Sequence, residues 1–131
     1  MIDFKRLLSA LVQAKVELVI VGGVAATLHG SARLTVDLDI VYGGSEKNMR
    51  KLMAALQPLK SDAGALDPVI EIPGGFDYEV LRKRSTVVDL FGLRCRVMDL
   101  EALIESKIAA GRPKDLEVIA ELQTIREERG R

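Results

Sequence analysis

Apolar residues near the start of the chain recur at the three- and four-residue spacing of an amphipathic helix, and Asp3 stands where its N-cap is expected. A short and mostly apolar segment, residues 17–21, then predicts a strand that ends at Gly22-Gly23. A short helix is expected to follow from Val24 and to close at Gly30. The chain therefore opens with a helix, a strand and a second helix.

The next part of the chain changes to a strand pattern. Residues 35–42 are rich in β-branched side chains and predict a second strand. A glycine turn follows, and Ser45 with Asn48 is expected to cap a helix that reaches about Leu59. Residues 60–66 are small and polar, which is typical of a loop.

The second half of the chain continues with shorter elements. The pattern predicts a strand over 69–72, a helical turn over 78–83 and then a hairpin of strands 86–91 and 93–98 with its turn at Gly92. A helix over 100–110, capped by Asp99, is expected next. After a break at 111–113, a last helix is predicted over 114–128. Too few parallel crossover units occur for a doubly wound sheet. This order predicts a single α+β domain, residues 1–131, in which helices flank a mixed β-sheet.

Composition narrows the class of protein. The 131 residues are 48% hydrophobic and 29% charged with a formal net charge of zero, which is typical of a folded soluble chain and excludes a strongly basic nucleic-acid-binding protein. Cys95 is the single cysteine, so a disulfide framework is excluded and we interpret Cys95 as a small apolar residue. The chain starts without a signal-peptide pattern, and its apolar runs are too short to span a bilayer. We expect a cytoplasmic protein with no membrane partner.

The strongest chemical signal lies in the second predicted strand. Asp37 and Asp39 occupy alternate positions of an otherwise apolar run, so in a strand they would point to the same side, roughly 7 Å apart. Two carboxylates in such surroundings repel each other and lose hydration. Mg²⁺ relieves both costs and prefers oxygen ligands, so the pair predicts a magnesium site. A solvated strand edge is the alternative.

The glycine pair Gly22-Gly23 stands where a strand turns into a helix. Free backbone N–H groups at a helix start bind phosphate, and glycines allow its close approach. A structural turn explains an isolated glycine pair equally well. The carboxylates that follow shortly after favour the phosphate interpretation.

At these residues the chain resembles the nucleotidyltransferase superfamily, which has the polymerase-β-like fold. The resemblance is carried by Gly22-Gly23-Val-Ala25, then Arg33-x-Thr35-x-Asp37-Leu-Asp39, then Lys107 with Gly111-Arg112-Pro-Lys114-Asp115. The resemblance covers about residues 1–122. Within the superfamily, the chain is similar to the minimal prokaryotic branch that is related to AbiEii-type abortive-infection toxins.

The resemblance implies a role for each motif. Gly22 and Gly23 would hold a nucleoside triphosphate, and Asp37 and Asp39 would bind Mg²⁺ ions. Arg33 and Thr35 would contribute to the same site, Thr35 from the strand face of Asp37. The predicted boundary between the last two helices brings cations together, and the resemblance implies that they bind nucleotide phosphates beside an orienting carboxylate: Lys107, Arg112, Lys114 and Asp115.

The resemblance also implies a third carboxylate on a neighbouring strand, in a passage of the form Gly-x-Leu-Asp, which Gly64-Ala65-Leu66-Asp67 matches. Asp67 is therefore the predicted third metal ligand, and Asp37, Asp39 and Asp67 are the predicted catalytic carboxylates. Pro68 is unusual for a central strand, and Asp89 is the alternative. Val118 stands where relatives often carry another acid.

Two functions follow from this pattern. The first is Mg²⁺-dependent transfer of a nucleotidyl group from an NTP to a hydroxyl of RNA, a protein or a small molecule, with a second copy or a partner protein completing the acceptor side. The second is a catalytically degenerate module that binds nucleotide or a partner protein, as in a toxin–antitoxin pair. His29, the single histidine, is interpreted as a packed or capping residue.

Overall fold

The computed structural model describes residues 4–33, 35, 37–59 and 63–130. Its strands are β1 (Leu18–Val21), β2 (Leu38–Tyr42), β3 (Leu66–Val69), β4 (Glu71–Ile72), β5 (Phe76–Asp77), β6 (Ser85–Leu90) and β7 (Leu93–Met98). Its helices are α1 (Phe4–Gln13), α2 (Gly22–His29), α3 (Glu46–Leu56), α4 (Tyr78–Lys83), α5 (Leu100–Ala110) and α6 (Leu116–Arg129).

Five of these strands form one mixed sheet in the order β3-β2-β1-β7-β6, while β4 and β5 form a separate two-stranded ribbon. The β1–β2 and β6–β7 pairs are antiparallel, and the β1–β7 and β2–β3 pairs are parallel. The predicted α+β class with a mixed sheet and flanking helices is confirmed.

The core lies around the central strand of this sheet. All four residues of β1 are buried, because helices cover both of its faces. On α1 the spacing recognised in the sequence places its buried positions on one stripe, Leu7, Leu8 and Leu11. Helix α5 buries Leu103 and Ile104 and packs against α6 through Leu122, which is also fully buried.

The predicted second strand is shorter than expected. Strand β2 begins at Leu38, so Thr35 and Asp37 precede it and the prediction that they share a strand face is wrong. The Thr35 hydroxyl instead donates a hydrogen bond to the carbonyl oxygen of Asp37 at 3.1 Å. Such local side-chain bonds compete with a strand ladder, which explains the late start.

The predicted boundary between the loop over 60–66 and the strand over 69–72 is also wrong. Leu66 already starts β3, and Glu71 starts the separate β4, while residues 60–62 lie outside the described residues. Strand β3 is an edge strand that pairs with β2 alone in the described sheet. An edge tolerates Pro68, because a proline there leaves no ladder hydrogen bond unmade on the open side.

Several helices start or end a few residues away from the predicted positions. Helix α2 starts at Gly22 rather than Val24, and α3 ends at Leu56 before a 3₁₀ turn that contains Pro58. Helix α6 starts at Leu116 after another 3₁₀ turn, Pro113–Asp115. The predicted Asp3 cap lies outside the described residues.

The predicted caps of α3 and α5 are confirmed. Ser45 accepts from the amide of Asn48 at 3.1 Å, and Asp99 accepts from the amide of Ala102 at 2.6 Å. The side chain of Asn48 does not cap the helix. It is buried and bonds the backbone of Glu17 and Gly43, which ties α3 to the sheet.

Candidate functional site

Two carboxylates stand side by side at one end of the sheet. Asp39 of β2 is the register partner of Asp67 of β3, and on its other side it is the partner of Val21, the last residue of β1. Parallel neighbouring strands lie about 4.8 Å apart, and register partners project to the same face. We call Asp39 and Asp67 the acidic corner.

The glycine pair makes room for this corner. Gly22 has a φ of +66°, and a Cβ on it would overlap the carboxylate of Asp39 and lie 3.0 Å from its Cγ. A Cβ on Gly23 would lie 2.7 Å from the Thr35 hydroxyl oxygen. The Gly23 amide also donates a hydrogen bond to the Asp39 carboxylate. The start of α2 is therefore built around Asp39.

Negative charge accumulates at the acidic corner. Burial raises the pKa of Asp39 above its ordinary value, and the neighbouring charges of Asp67 and Asp37 raise it further. The Gly23 amide and the Lys107 ammonium lower that pKa and do not outweigh the other causes. A cation bound here would relieve the repulsion that the protein alone leaves in place.

Two cationic side chains pair with a buried carboxylate in the region between the end of α5 and the start of α6. Asp115 is 3% exposed, and its two carboxylate oxygens lie 2.7 Å from Arg112 Nε and 3.6 Å from Lys107 Nζ. Burial raises the pKa of Asp115, but the Arg112 hydrogen bond and the two positive charges outweigh it, so that the net pKa lies below its ordinary value. We call Lys107, Arg112 and Asp115 the basic cluster.

A cleft of about 350 Å³ joins the acidic corner to the basic cluster. Of the predicted site residues, it is lined by Gly22, Asp39, Asp67, Lys107 and Arg112. The rest of its described lining is mostly apolar: Val21, Val69, Ile72, Pro73, Leu103 and Ala110, with Ser106. The cleft thus carries negative charge on one wall and positive charge on the other.

Other predicted site residues lie beside this cleft or away from it. Asp37 is exposed next to the acidic corner, and Thr35 lies against Gly23. Lys114 is exposed one residue before Asp115. The guanidinium of Arg33 pairs with two carboxylates of α6, at 3.2 Å from Glu117 and 3.7 Å from Glu121.

The two candidates for the third carboxylate lie at opposite edges of the sheet. Asp67 is on β3, next to Asp39, whereas Asp89 is on β6 and pairs in register with Arg94. Strands β1 and β7 separate β6 from β2. Of the two, Asp67 is the carboxylate that can act together with Asp39.

Sequence reasoning missed residues that support the site from a distance. Glu121 of α6 accepts from the Ser31 hydroxyl at 2.6 Å and from the Ala32 amide at 3.1 Å, which fixes the start of the loop toward Asp37. These contacts span about ninety positions and leave no local sequence signal. His29 packs as interpreted, with Nε2 at 2.7 Å from the Met98 carbonyl oxygen.

The donor set of the acidic corner fits a magnesium ion better than a softer metal. Its donors are carboxylate oxygens, which Mg²⁺ prefers, and Mg²⁺ usually keeps waters and substrate phosphates as its other ligands. In the described part of the chain no three histidine, cysteine or acidic side chains are grouped closely enough to hold a metal by themselves. Asp39 and Asp67 would supply part of the coordination.

Comparison with known proteins now identifies the family. A family model described as "Nucleotidyltransferase of unknown function (DUF6036)" matches residues 3–127. The chain belongs to this nucleotidyltransferase family. The match extends over nearly the whole chain, so it includes the acidic corner, the glycine pair and the basic cluster.

A solved structure supports the same fold. The crystal structure of the aminoglycoside nucleotidyltransferase ANT(2″)-Ia in complex with adenylyl-2″-tobramycin is similar with a TM-score of 0.60 and 18% sequence identity, over 95% of this chain and 92% of that one. At this identity the likeness establishes the fold. No curated protein sequence matches the chain. No helix among the described residues is long and apolar enough to cross a membrane.

Proposed function

We propose that this nucleotidyltransferase-family protein binds an NTP with Mg²⁺ in the cleft and transfers the nucleotidyl group to a hydroxyl acceptor. The observation that carries the proposal is the register of Asp39 beside Asp67 at the mouth of a cleft whose other wall carries Lys107 and Arg112. A triphosphate with its metal needs both kinds of charge in one place.

Each wall has its own task in this proposal. Asp39 and Asp67, with Asp37 alongside, would hold Mg²⁺, which when bound lowers the pKa of the acceptor hydroxyl and neutralises charge on the leaving pyrophosphate. The backbone amides at the start of α2 would orient phosphate oxygens beside Gly22. These residues come from three separate elements that the sheet fixes in place.

The basic cluster would bind the phosphates that leave. Lys107 and Arg112 face the cleft, while the buried Asp115 fixes both cations from behind. Arg112 can form paired hydrogen bonds to phosphate oxygens, and Lys107 acts as a point charge. Lys114 is exposed next to this cluster and is proposed to extend it toward solvent.

The acceptor is the less defined half of the proposal. We infer a hydroxyl of RNA, a protein or a small molecule, by analogy with a neighbour whose bound product is an adenylylated aminoglycoside. A cleft of about 350 Å³ is too small to hold a nucleotide together with a macromolecular acceptor, so we infer that the acceptor approaches from the rim, where a second copy or partner protein can complete its site. The relation to AbiEii-type toxins and the cytoplasmic location stay predictions.

Isothermal titration with each of the four NTPs, with and without Mg²⁺, tests the proposal. The wild type should bind at least one NTP more tightly with Mg²⁺, and Asp39→Asn/Asp67→Asn should lose that gain. Asp89→Asn is the matched control, because it removes a strand carboxylate at the other sheet edge. Absence of binding to every NTP would overturn the proposal.

A catalytically degenerate nucleotide-binding module is the second candidate. The observation that favours it is that the described residues hold no preformed group of three metal-binding side chains. In that case NTP binding survives without turnover, with or without Mg²⁺. Incubation with α-phosphate-labelled NTP and recovered cellular RNA or protein separates the two, because the enzyme alone leaves label on an acceptor and releases pyrophosphate.

A further inference from the structure

One neutral polar side chain of the cleft lies without a hydrogen-bond partner among the described residues. Ser106 of α5 is 7% exposed and lines the cleft, yet its hydroxyl makes no hydrogen bond to any described residue. Among the other helical hydroxyls, Thr27 and Thr124 each bond a carbonyl four residues back at 3.0 Å, whereas the half-buried Ser9, outside the cleft, makes no such bond among the described residues. The Ser106 oxygen is not sealed in the core, so it opens into the cleft.

The neighbours of Ser106 indicate what kind of group it meets. The cleft-facing positions of α5 follow helical spacing and are apolar next to Ser106 on both sides: Leu103 one turn before and Ala110 one turn after. Val69, Ile72 and Pro73 add further apolar surface to the lining of the cleft. Phosphates are the natural ligands of Lys107 and Arg112, whereas an apolar surface with one hydroxyl fits a flat, largely apolar group with a hydrogen-bonding edge.

We propose that Ser106 is a specificity-determining residue, whose hydroxyl bonds a neutral hydrogen-bonding group of the nucleoside, either a base edge or a ribose hydroxyl. Among the described residues that line the cleft, Ser106 is the one neutral side chain able to form such a bond. A buried hydroxyl left unpaired by the wrong nucleoside disfavours its binding, which is how a single group discriminates. The inference rests on the proposed NTP binding.

Titration of Ser106→Ala tests this against the wild type. The ligands are the four NTPs, the 2′-deoxy form of the tightest NTP, and inorganic tripolyphosphate, all with Mg²⁺. Loss of one neutral hydrogen bond should weaken the preferred NTP about three- to tenfold and leave tripolyphosphate unchanged. Alanine is favourable inside a helix, so the variant should fold. Ser9→Ala on α1, away from the cleft, is the matched control.

The pattern across ligands separates the two sources of the bond. A base contact predicts that Ser106→Ala levels the affinities of the four NTPs, and a ribose contact predicts that it abolishes the difference between the NTP and its 2′-deoxy form. Equal weakening of tripolyphosphate, or unchanged affinity for every NTP, overturns the inference and leaves the proposed function standing. A wild type that binds no NTP overturns both, whether or not it binds tripolyphosphate.

Discussion

A side chain at Gly22 would overlap the carboxylate of Asp39. The φ of +66° at Gly22 is a second reason why glycine stands there, because residues with a side chain rarely adopt that backbone conformation. The turn that opens α2 and the acidic corner are therefore parts of one structure. A side chain introduced at Gly22 must therefore displace the carboxylate of Asp39.

Gly22→Ala is expected to lower stability by about 1–3 kcal/mol, because it combines backbone strain with displacement of Asp39. Mg²⁺-dependent NTP binding should be lost with it. Gly64→Ala is the control, since a Cβ there meets nothing within 4 Å. Urea denaturation and NTP titration of both variants check this; a Gly22→Ala protein as stable as Gly64→Ala would contradict the geometry.

Asp39→Asn is expected to stabilise the metal-free protein at neutral pH. Burial and the charges of Asp67 and Asp37 disfavour the ionised form, which is why the pKa of Asp39 is raised, and asparagine removes that charge while keeping an acceptor for the Gly23 amide. A melting temperature higher by roughly 2–5 °C is expected, with loss of Mg²⁺-dependent binding. Asp89→Asn should show neither effect. A lower melting temperature for Asp39→Asn would count against the electrostatic account.

Asp115→Asn is expected to destabilise the protein in a pH-dependent way. The folded-state pKa of Asp115 lies below its ordinary value of 3.8, so its contribution is fully present above that pH and is lost as the pH falls through the lower folded value. The gap in unfolding free energy between wild type and variant should therefore narrow only below pH 3.8. Urea titrations at a series of pH values measure it; a gap that widens on acidification is the contrary result.

Glu121→Ala is expected to lower the melting temperature more than Glu117→Ala. Glu121 accepts hydrogen bonds from Ser31 and Ala32 and also pairs with Arg33. The Glu117 side chain is 85% exposed, and among the described residues its one ion-pair partner is Arg33. Exposed ion pairs contribute little. Thermal melts of the two variants make the comparison, and equal melting temperatures would show that the loop does not depend on Glu121.

Local patterns predicted the elements whose signals lie within a few residues. The helical spacing of α1, the Ser45 and Asp99 caps and the hairpin at Gly92 depend on neighbours in the chain, and the structure reproduces them. The motif positions of Asp39, Lys107 and Arg112 were also predictable, because their spacing carries the family resemblance.

Features that depend on distant contacts were beyond such reasoning. The motif favoured Asp67 over Asp89, but the parallel pairing of β2 with an edge strand, which brings Asp67 beside Asp39, could not be predicted; that pairing also explains Pro68. The sequence placed the start of β2 too early in the chain, because the hydrogen bond from the Thr35 hydroxyl to the Asp37 carbonyl oxygen keeps these residues out of the strand. The anchoring of Arg33 on α6 joins residues more than eighty positions apart.

The central claim is that Asp39 and Asp67 act together as a metal and nucleotide site. Electron paramagnetic resonance of free Mn²⁺, used in place of Mg²⁺ and titrated with protein in the presence of an NTP, tests it most directly. The account predicts that wild type and Asp89→Asn remove the free Mn²⁺ signal equally, and that Asp67→Asn removes much less. Equal Mn²⁺ binding by Asp67→Asn and wild type would contradict it.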